Sequence, residues 1–355
     1  MAVRVLIIRP EPTGGAGEGD EVVHTKAIAH LKAAGMEVSI VALRTVGGLR
    51  RLFNLTRSIP PEIARHMSPP NPDLVLEGVR RFRPDVICLF NETSFPVLTA
   101  AKSTGVPVVL YAHNVHSQIV DADPRLISRA FRGAIRRFER RVYGDPAVEL
   151  VCISKSDAEK IRATTHRARV WVAPPGLPPL KPLAPGAAAE PSLALTGAYG
   201  WWRKRIDLNR FAAEPANPAV RCFVGAGAAE QVVVPGAEPA EGLDWSSAIR
   251  VGLITDRFVA GFKLKSTEYV ALNCAIASYG DISGEFAGLP HAERFVRTIA
   301  ARSDAEAFAL SLAADPSTPA AFAEFKAACA ERFDWARTLE PLSEAIAAAL
   351  ARAPG

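Results

Sequence analysis

The sequence predicts an α/β protein built as two doubly wound domains facing a central cleft. Three observations lead there. Short β-branched runs alternate with helical patterns along the chain. The alternation stops in a proline-rich stretch, residues 174–191 (PPGLPPLKPLAPGAAAEP), and then restarts. At 355 residues the chain is also longer than one typical core requires. Repeated strand–helix–strand units of this kind form parallel sheets covered on both faces.

In the first half, VRVLIIR (3–9) reads as a strand and residues 21–33 as a helix, followed by the strand EVSIVAL (37–43). DVICLF (85–90), VPVVLYAH (106–113), ELVCIS (149–154) and ARVWVAP (168–174) are further strands. The proline stretch reads as a linker. Beyond it come the strand LALTGAY (193–199), a helix from about 205, the strand AVRCFVGAG (219–227), and then AEQVVVPG, AIRVGLIT and CAIASYG continuing the pattern. The tail from 333 reads as a long amphipathic helix bent at Pro341. The expected domains are 1–175 and 190–332, with helix 333–355 packing back on the first.

Composition narrows the function classes. The chain is 49% hydrophobic and 22% charged, so it is globular. Its formal charge of +5 permits anionic substrates but is too small to argue for nucleic acid. No uninterrupted apolar run is long enough to span a membrane. The N-terminal apolar run is too short for a signal peptide. Cys88, Cys152, Cys222, Cys274 and Cys329 are scattered and odd in number, which fits reduced thiols in the cytoplasm.

The most informative stretch is RFVAGFKLKSTEYVALNCAIASYG (257–280). Arg257, Lys263 and Lys265 place three cations around Gly261, and Glu268 opens the apolar run that follows. A cationic loop leading into a helix suits a diphosphate. A carboxylate one turn on suits a sugar hydroxyl pair. TGAYGWWRKRIDL brings Arg203, Lys204 and Arg205 after a strand, with Gly200 allowing the turn. Cations converging from two segments stabilise a diphosphate leaving group.

The first half offers candidates for the other substrate. EPTGGAGEGDE, with Gly14 and Gly15, is a glycine-rich loop ahead of a helix, in neither dinucleotide nor P-loop register. YAHNVHSQ places His113, Asn114 and His116 beyond a strand end, and Asn91-Glu92-Thr93 holds the same topological position after DVICLF. A histidine there can bond a sugar hydroxyl and titrates near neutral pH. His113 and His116 have a metal-compatible spacing but no third ligand, and no D-x-D follows a strand, so no metal is expected. Ser154, Ser156 and Asp157 read as a helix cap. Helix 129–141 (RAFRGAIRRFERR) has one apolar face and is otherwise arginine, a pattern suited to anionic lipid.

Taken together these segments resemble a family-4-type glycosyltransferase of the GT-B kind, with two Rossmann-like domains. The resemblance rests on Thr13-Gly14-Gly15, His113 in YAHN, CISKSDAEKI, Pro175-Gly176, GAYGWWRK and Phe333-Asp334-Trp335. Most specific is the family's R-x-x-x-G-x-K-x-K-x-x-E, present as Arg257, Gly261, Lys263, Lys265 and Glu268. It implies transfer of a sugar from a nucleotide-diphosphate sugar to a hydroxyl acceptor, with anomeric retention and no cofactor or metal. It implies that Lys263 or Lys265, with Arg203 or Lys204, contacts the diphosphate, that Glu268 holds the ribose, and that His113 holds the transferred sugar. Gly15, Gly200, Arg257 and Gly261 complete the expected nucleotide-sugar site. Gly14, Asn91, Glu92, Asn114 and His116 form the expected acceptor region. The expected partners are the donor and a glycan, lipid-linked or small-molecule acceptor, with peripheral contact at the inner face of the membrane through 129–141 and no nucleic acid. Ala260 stands where many relatives carry a second acid, Asn273 where they carry glycine, Ala275-Ile276 replaces Pro-Val, and Lys204 replaces asparagine. A nucleotide-sugar epimerase or hydrolase, or a non-catalytic relative, are the rival readings.

Overall fold

The computed structural model of the chain describes residues 2–12, 19–45, 70–121, 126–258 and 260–352, with backbone alone for 126–130. The chain divides into two compact units. One comprises Met1–Pro175, Ala260–Phe262 and Trp335–Gly355; the other comprises Gly176–Val259 and Lys263–Asp334. Each is a Rossmann-like α/β unit.

The first unit is built on six parallel strands: β1 (Arg4–Pro10), β2 (Glu37–Leu43), β3 (Val86–Phe90), β4 (Val108–Ala112), β5 (Val148–Cys152) and β6 (Trp171–Val172), in the order β2-β1-β3-β4-β5-β6. The interior strands are mostly apolar because both of their faces are covered, and Leu6, Ile8, Ile87, Leu89, Leu110 and Leu150 share one buried cluster. β6 is shorter than its apolar run suggests, since only Trp171 and Val172 pair with β5. The helix Lys155–Thr165 starts at Ser154, whose Oγ accepts from Asp157 N at 3.0 Å, as the capping pattern predicts. The helix Trp335–Ala351 runs through Pro341 and packs against β4, β5 and β6. His30 Nε2 lies 3.0 Å from Ser343 Oγ. Beyond the helix, Arg352 pairs with the buried Glu149 at 2.7 Å.

The second unit repeats the plan with β7 (Ala189–Leu195), β8 (Arg221–Val224), β9 (Glu238–Pro239), β10 (Ile249–Ile254), β11 (Cys274–Ser278) and β12 (Val296–Thr298), ordered β12-β11-β10-β7-β8-β9 and parallel throughout. One reading fails here. The valines of AEQVVVPG form no strand: Gln231 and Val232 turn back on the carbonyl of Ala228, Val233 is 85% exposed, and the strand beside β8 is Glu238–Pro239. The helix expected from 205 begins at Trp202. All five cysteines are buried thiols outside disulfides.

Both sheets reverse their strand order next to the first strand of the unit. The reversal lies between β1 and β3 in one and between β7 and β10 in the other. Loops leaving the carboxyl ends of such a strand pair diverge and leave space for a ligand.

β10 carries a glycine inside an otherwise apolar strand. A Cβ on Gly252 would fall within the ring of Tyr269, whose hydroxyl donates to Leu253 O at 3.0 Å and accepts from Thr196 N at 3.1 Å. Gly252→Ala should therefore lower stability by about 1–3 kcal/mol, the usual cost of overpacking. Gly284, where a Cβ meets nothing within 4 Å, is the control. Gly284→Ala should stay within about 0.5 kcal/mol in the same urea titration.

Candidate functional site

In the second unit the candidate residues gather where β7 and β10 end. β7 leads through Gly197 and Tyr199 to the helix Trp202–Ala213, and β10 leads through Asp256 and Phe258 to the helix Leu264–Ala271. Arg203 and Lys204 sit in the first turn of one helix, while Lys263 caps the other and Lys265 lies in its first turn. Neither first turn contains an acid. Helix N-termini carry partial positive charge, so cations there are unfavourable unless an anion joins them.

A buried carboxylate lies among these cations. Asp256 is 5% exposed and pairs with Lys263 Nζ at 3.2 Å. Burial acts to raise its pKa, but the charges of Lys263, Lys204 and Lys265 outweigh burial and hold it below the ordinary carboxylate value. Lys265 lies against Gly197 with its Nζ 3.6 Å from the Tyr199 ring centroid, and burial lowers its pKa to about 8. Glu268, half-buried, has its pKa raised by burial against the opposing charges of Lys265 and Lys204.

Other placements depart from the sequence reading. Arg257 donates to Glu214 at 2.9 Å and lies 4.1 Å over the Tyr279 ring, so its guanidinium is already engaged in an ion pair. Gly200 has no left-handed backbone, and a Cβ there would meet nothing within 4 Å. The glycine that geometry requires is Gly197, at φ 89, where a Cβ would come within 2.6 Å of Lys265 Cε. Asn273 does adopt the left-handed conformation, at φ 60. Its amide donates to the carbonyls of Pro182 and Trp245, and its Oδ1 accepts from Lys326. Gly261 clusters with the first unit, at φ 64, and donates its N–H to Asp157 Oδ2 at 2.9 Å. A Cβ on it would collide with the His113 carbonyl and the Asn114 side chain.

In the first unit, His113, Asn91 and Glu92 meet at the ends of β3 and β4. Gly14 and Gly15 lie outside the described residues. Asn91 is left-handed at φ 67; its Oδ1 accepts from Thr93 N at 3.0 Å and its amide donates to Asp20 at 2.9 Å. Glu92 is 2% exposed and shapes the loop after β4. Its carboxylate accepts from the backbone N–H of His113 and Asn114, at 3.1 and 3.2 Å, and from the Asn114 amide at 3.0 Å, and pairs with His116 at 3.0 Å. Burial acts to raise the Glu92 pKa, but the hydrogen bond and charge of His116 and the charge of His113 bring it below its ordinary value. The His113 ring is buried against His24 and Tyr111, with centroids 4.9 and 5.2 Å away. Its Nδ1 lies 3.1 Å from Asp20 Oδ1, and its Nε2 has no hydrogen-bond partner among the described residues. With the proton on Nδ1, Nε2 is an acceptor. Burial and the neighbouring His113 lower the His24 pKa to about 3, leaving that ring neutral.

Sequence reasoning missed Asp20, His24, Asp256 and Phe258. Nothing in the sequence ties Asp20 to a histidine 93 positions away. Asp256 ends an apolar run directly before the cationic loop, a position that could have flagged it. Among the described residues, no group of three or more His, Cys, Asp or Glu side chains is placed to hold a metal ion. Among them, no helix is long and apolar enough to cross a membrane.

The comparisons agree with this architecture. The family model described as Glycosyltransferase Family 4 matches residues 19–179. No protein of curated function matches the sequence. Among solved structures, the chain is similar to sucrose-phosphate synthase from Thermosynechococcus elongatus, with TM-score 0.70 and 16% identity over 98% of this chain and 99% of that one. It is also similar to Anabaena HepE in complex with UDP and glucose, with TM-score 0.63 and 15% identity over 98% of this chain and 100% of that one. The lipopolysaccharide outer core galactosyltransferase WaaB follows, with TM-score 0.56 and 12% identity over 98% and 99% of the two chains. At these identities the structures establish the GT-B fold, and the family model adds a likeness to glycosyltransferase family 4 over residues 19–179.

Proposed function

We propose that this chain moves a sugar from a nucleotide-diphosphate sugar to a hydroxyl acceptor with retention of anomeric configuration and without a metal. The observation that carries the reading is the gathering of Arg203, Lys204, Lys263 and Lys265 at two helix N-termini that lack acids, around Asp256. A diphosphate would join these cations at helix ends that favour an anion, beside the acids Asp256, Asp207 and Glu268. Arg257, engaged by Glu214, is left out of this set. That the HepE structure holds UDP and glucose on the same fold is consistent with this donor class.

In this reading the bond between the sugar C1 and the diphosphate oxygen breaks as the acceptor oxygen bonds C1 on the same face. The departing diphosphate oxygen takes the acceptor's proton. Lys263 and Lys265 stabilise the charge developing on that oxygen, Arg203 and Lys204 bind the diphosphate, and Glu268 accepts from the ribose hydroxyls. In the first unit His113 Nε2 accepts from a hydroxyl of the transferred sugar, with Asp20 fixing the opposite ring nitrogen. Asn91, Asn114 and His116 border the acceptor region, while Glu92 holds their loop in shape.

The helix Leu126–Tyr143 bears on the acceptor's nature. Its apolar residues Ile135, Phe138 and Val142 are buried in the first unit, whereas Arg136, Arg137, Arg140 and Arg141 are exposed. An anionic membrane would meet only the basic face, without insertion, so lipid contact in this proposal is electrostatic and salt-sensitive.

Mass-spectrometric transfer assays over a panel of nucleotide sugars and acceptors test the activity. Lys263→Ala and Lys265→Ala should each reduce turnover by roughly 10²–10³-fold, as expected for losing a preorganised charge-stabilising donor. Wild-type rates in both variants would remove these lysines from the mechanism.

The pH dependence has a definite sign. Lys265 binds an anion only while charged, and its proton leaves at about pH 8. Donor affinity should be level below that pH and fall above it, and the fall should be missing from Lys265→Met. A wild-type profile flat to pH 10 would count against it.

Turnover should also persist in excess chelator, because the cations occupy the place of a divalent ion. Loss of activity restored only by a divalent metal would contradict metal independence.

A further inference from the structure

We propose that Phe258 is a positioning residue, whose ring stations Arg203 and Lys263 as a fixed pair of cations for the donor diphosphate. The inference rests on the function proposed above. Phe258 is 4% exposed and lies in the loop after β10, at an unspecified position of the spaced motif that begins at Arg257. Lys263 Nζ is 4.1 Å from its ring centroid, and Arg203 Cζ is 4.5 Å from the same centroid. Trp201 meets the ring edge-on, with centroids 5.5 Å apart. The two cations come from segments about sixty positions apart in sequence, and this ring is where they meet.

The chemistry favours a ring over an acid at this place. An aromatic face attracts a cation through its quadrupole and leaves the cation's charge in place for a further anion. A carboxylate would attract both cations more strongly, but it would neutralise them and compete with the diphosphate. Asp256, 3.2 Å from Lys263, already supplies a counter-charge that lets like charges share the space.

The ring is itself held. Asp207, on the helix that carries Arg203, accepts from the backbone N–H of Arg257 at 3.1 Å, one residue before Phe258. That bond fastens the loop after β10 to the helix after β7. The Trp201 contact limits the ring's tilt from the same side of the sequence. Helix, loop, ring and cations thus form one assembly at the strand-order reversal. Phe258 touches no substrate atom in this proposal and acts only through Arg203 and Lys263.

Calorimetric titration with UDP, GDP and ADP tests it, using the full chain and confirming each variant's fold by circular dichroism. Wild type should bind at least one of the three. Phe258→Leu and Phe258→Met should weaken that binding by roughly 5–30-fold, the range that one or two cation–π contacts account for. Phe258→Tyr, which keeps the ring face, should restore affinity to within about threefold. If Phe258 acts through Lys263, the Leu substitution should cost much less in a Lys263→Met background, because coupled residues are non-additive. Full additivity, or wild-type affinity in folded Phe258→Leu or Phe258→Met, overturns the positioning role while the donor reading stands. A wild type that binds none of the three nucleotides overturns the donor reading, and this inference with it.

Discussion

Positive charge placed against the positive ends of helices needs a counter-charge, and in the second unit Asp256 provides it. Its carboxylate is buried and bonded to Lys263, and Lys204 and Lys265 act on it as well. A buried carboxylate with no partner would be costly, and a cluster of partly buried lysines with no acid would be equally so. Together they form an arrangement in which neither sign is left uncompensated. The helices Trp202–Ala213 and Leu264–Ala271 can begin with cations only because this acid lies between β10 and the second of them. The geometry of the parallel sheet sets the place, since the carboxyl ends of β7 and β10 lie side by side where the strand order reverses.

The first unit solves a related problem with the signs exchanged. Glu92, Asp157, Glu139 and Glu149 are all buried acids, and each is surrounded by donors. Glu92 organises the loop of His113 and Asn114, Asp157 receives Gln118 and the backbone of Gly261, and Glu139 receives the backbone of Ser117. These carboxylates act as fasteners between loops. The acid facing outward is Asp20, whose side chain is 57% exposed and which orients His113 and Asn91 from the start of the helix Gly19–Ala33.

Much of this was legible in the sequence, for identifiable reasons. Interior strands such as Val86–Phe90 and Val108–Ala112 announce themselves because burial on both faces requires unbroken apolar runs. The cap at Ser154 is a local effect and was readable locally. The valines at 232–234 were misread because an exposed turn and a short strand share the same composition. The sequence points to Gly200 rather than Gly197, because the left-handed backbone and the approach of Lys265 that distinguish Gly197 are set by the fold. Asp20 with His113, and Phe258 with Arg203, are pairings across long stretches of chain. Spacing within a motif carries no information about such partners.

The pairing of Arg352 with Glu149 has a consequence for how the chain is made. Glu149 is nearly inaccessible, held by Arg169 at 2.8 Å, Trp171 Nε1 at 3.0 Å and Arg352 at 2.7 Å, and the helix before Arg352 covers β4, β5 and β6. During translation, β5 leaves the ribosome long before residues 335–352, with the whole second unit synthesised between them. At usual elongation rates that interval is on the order of 10–40 s. Through it, the β4–β6 side of the nascent first unit stays uncovered and Glu149 lacks one of its cations. The first unit is thus interrupted by the second, and its closure waits on residues made after the second unit.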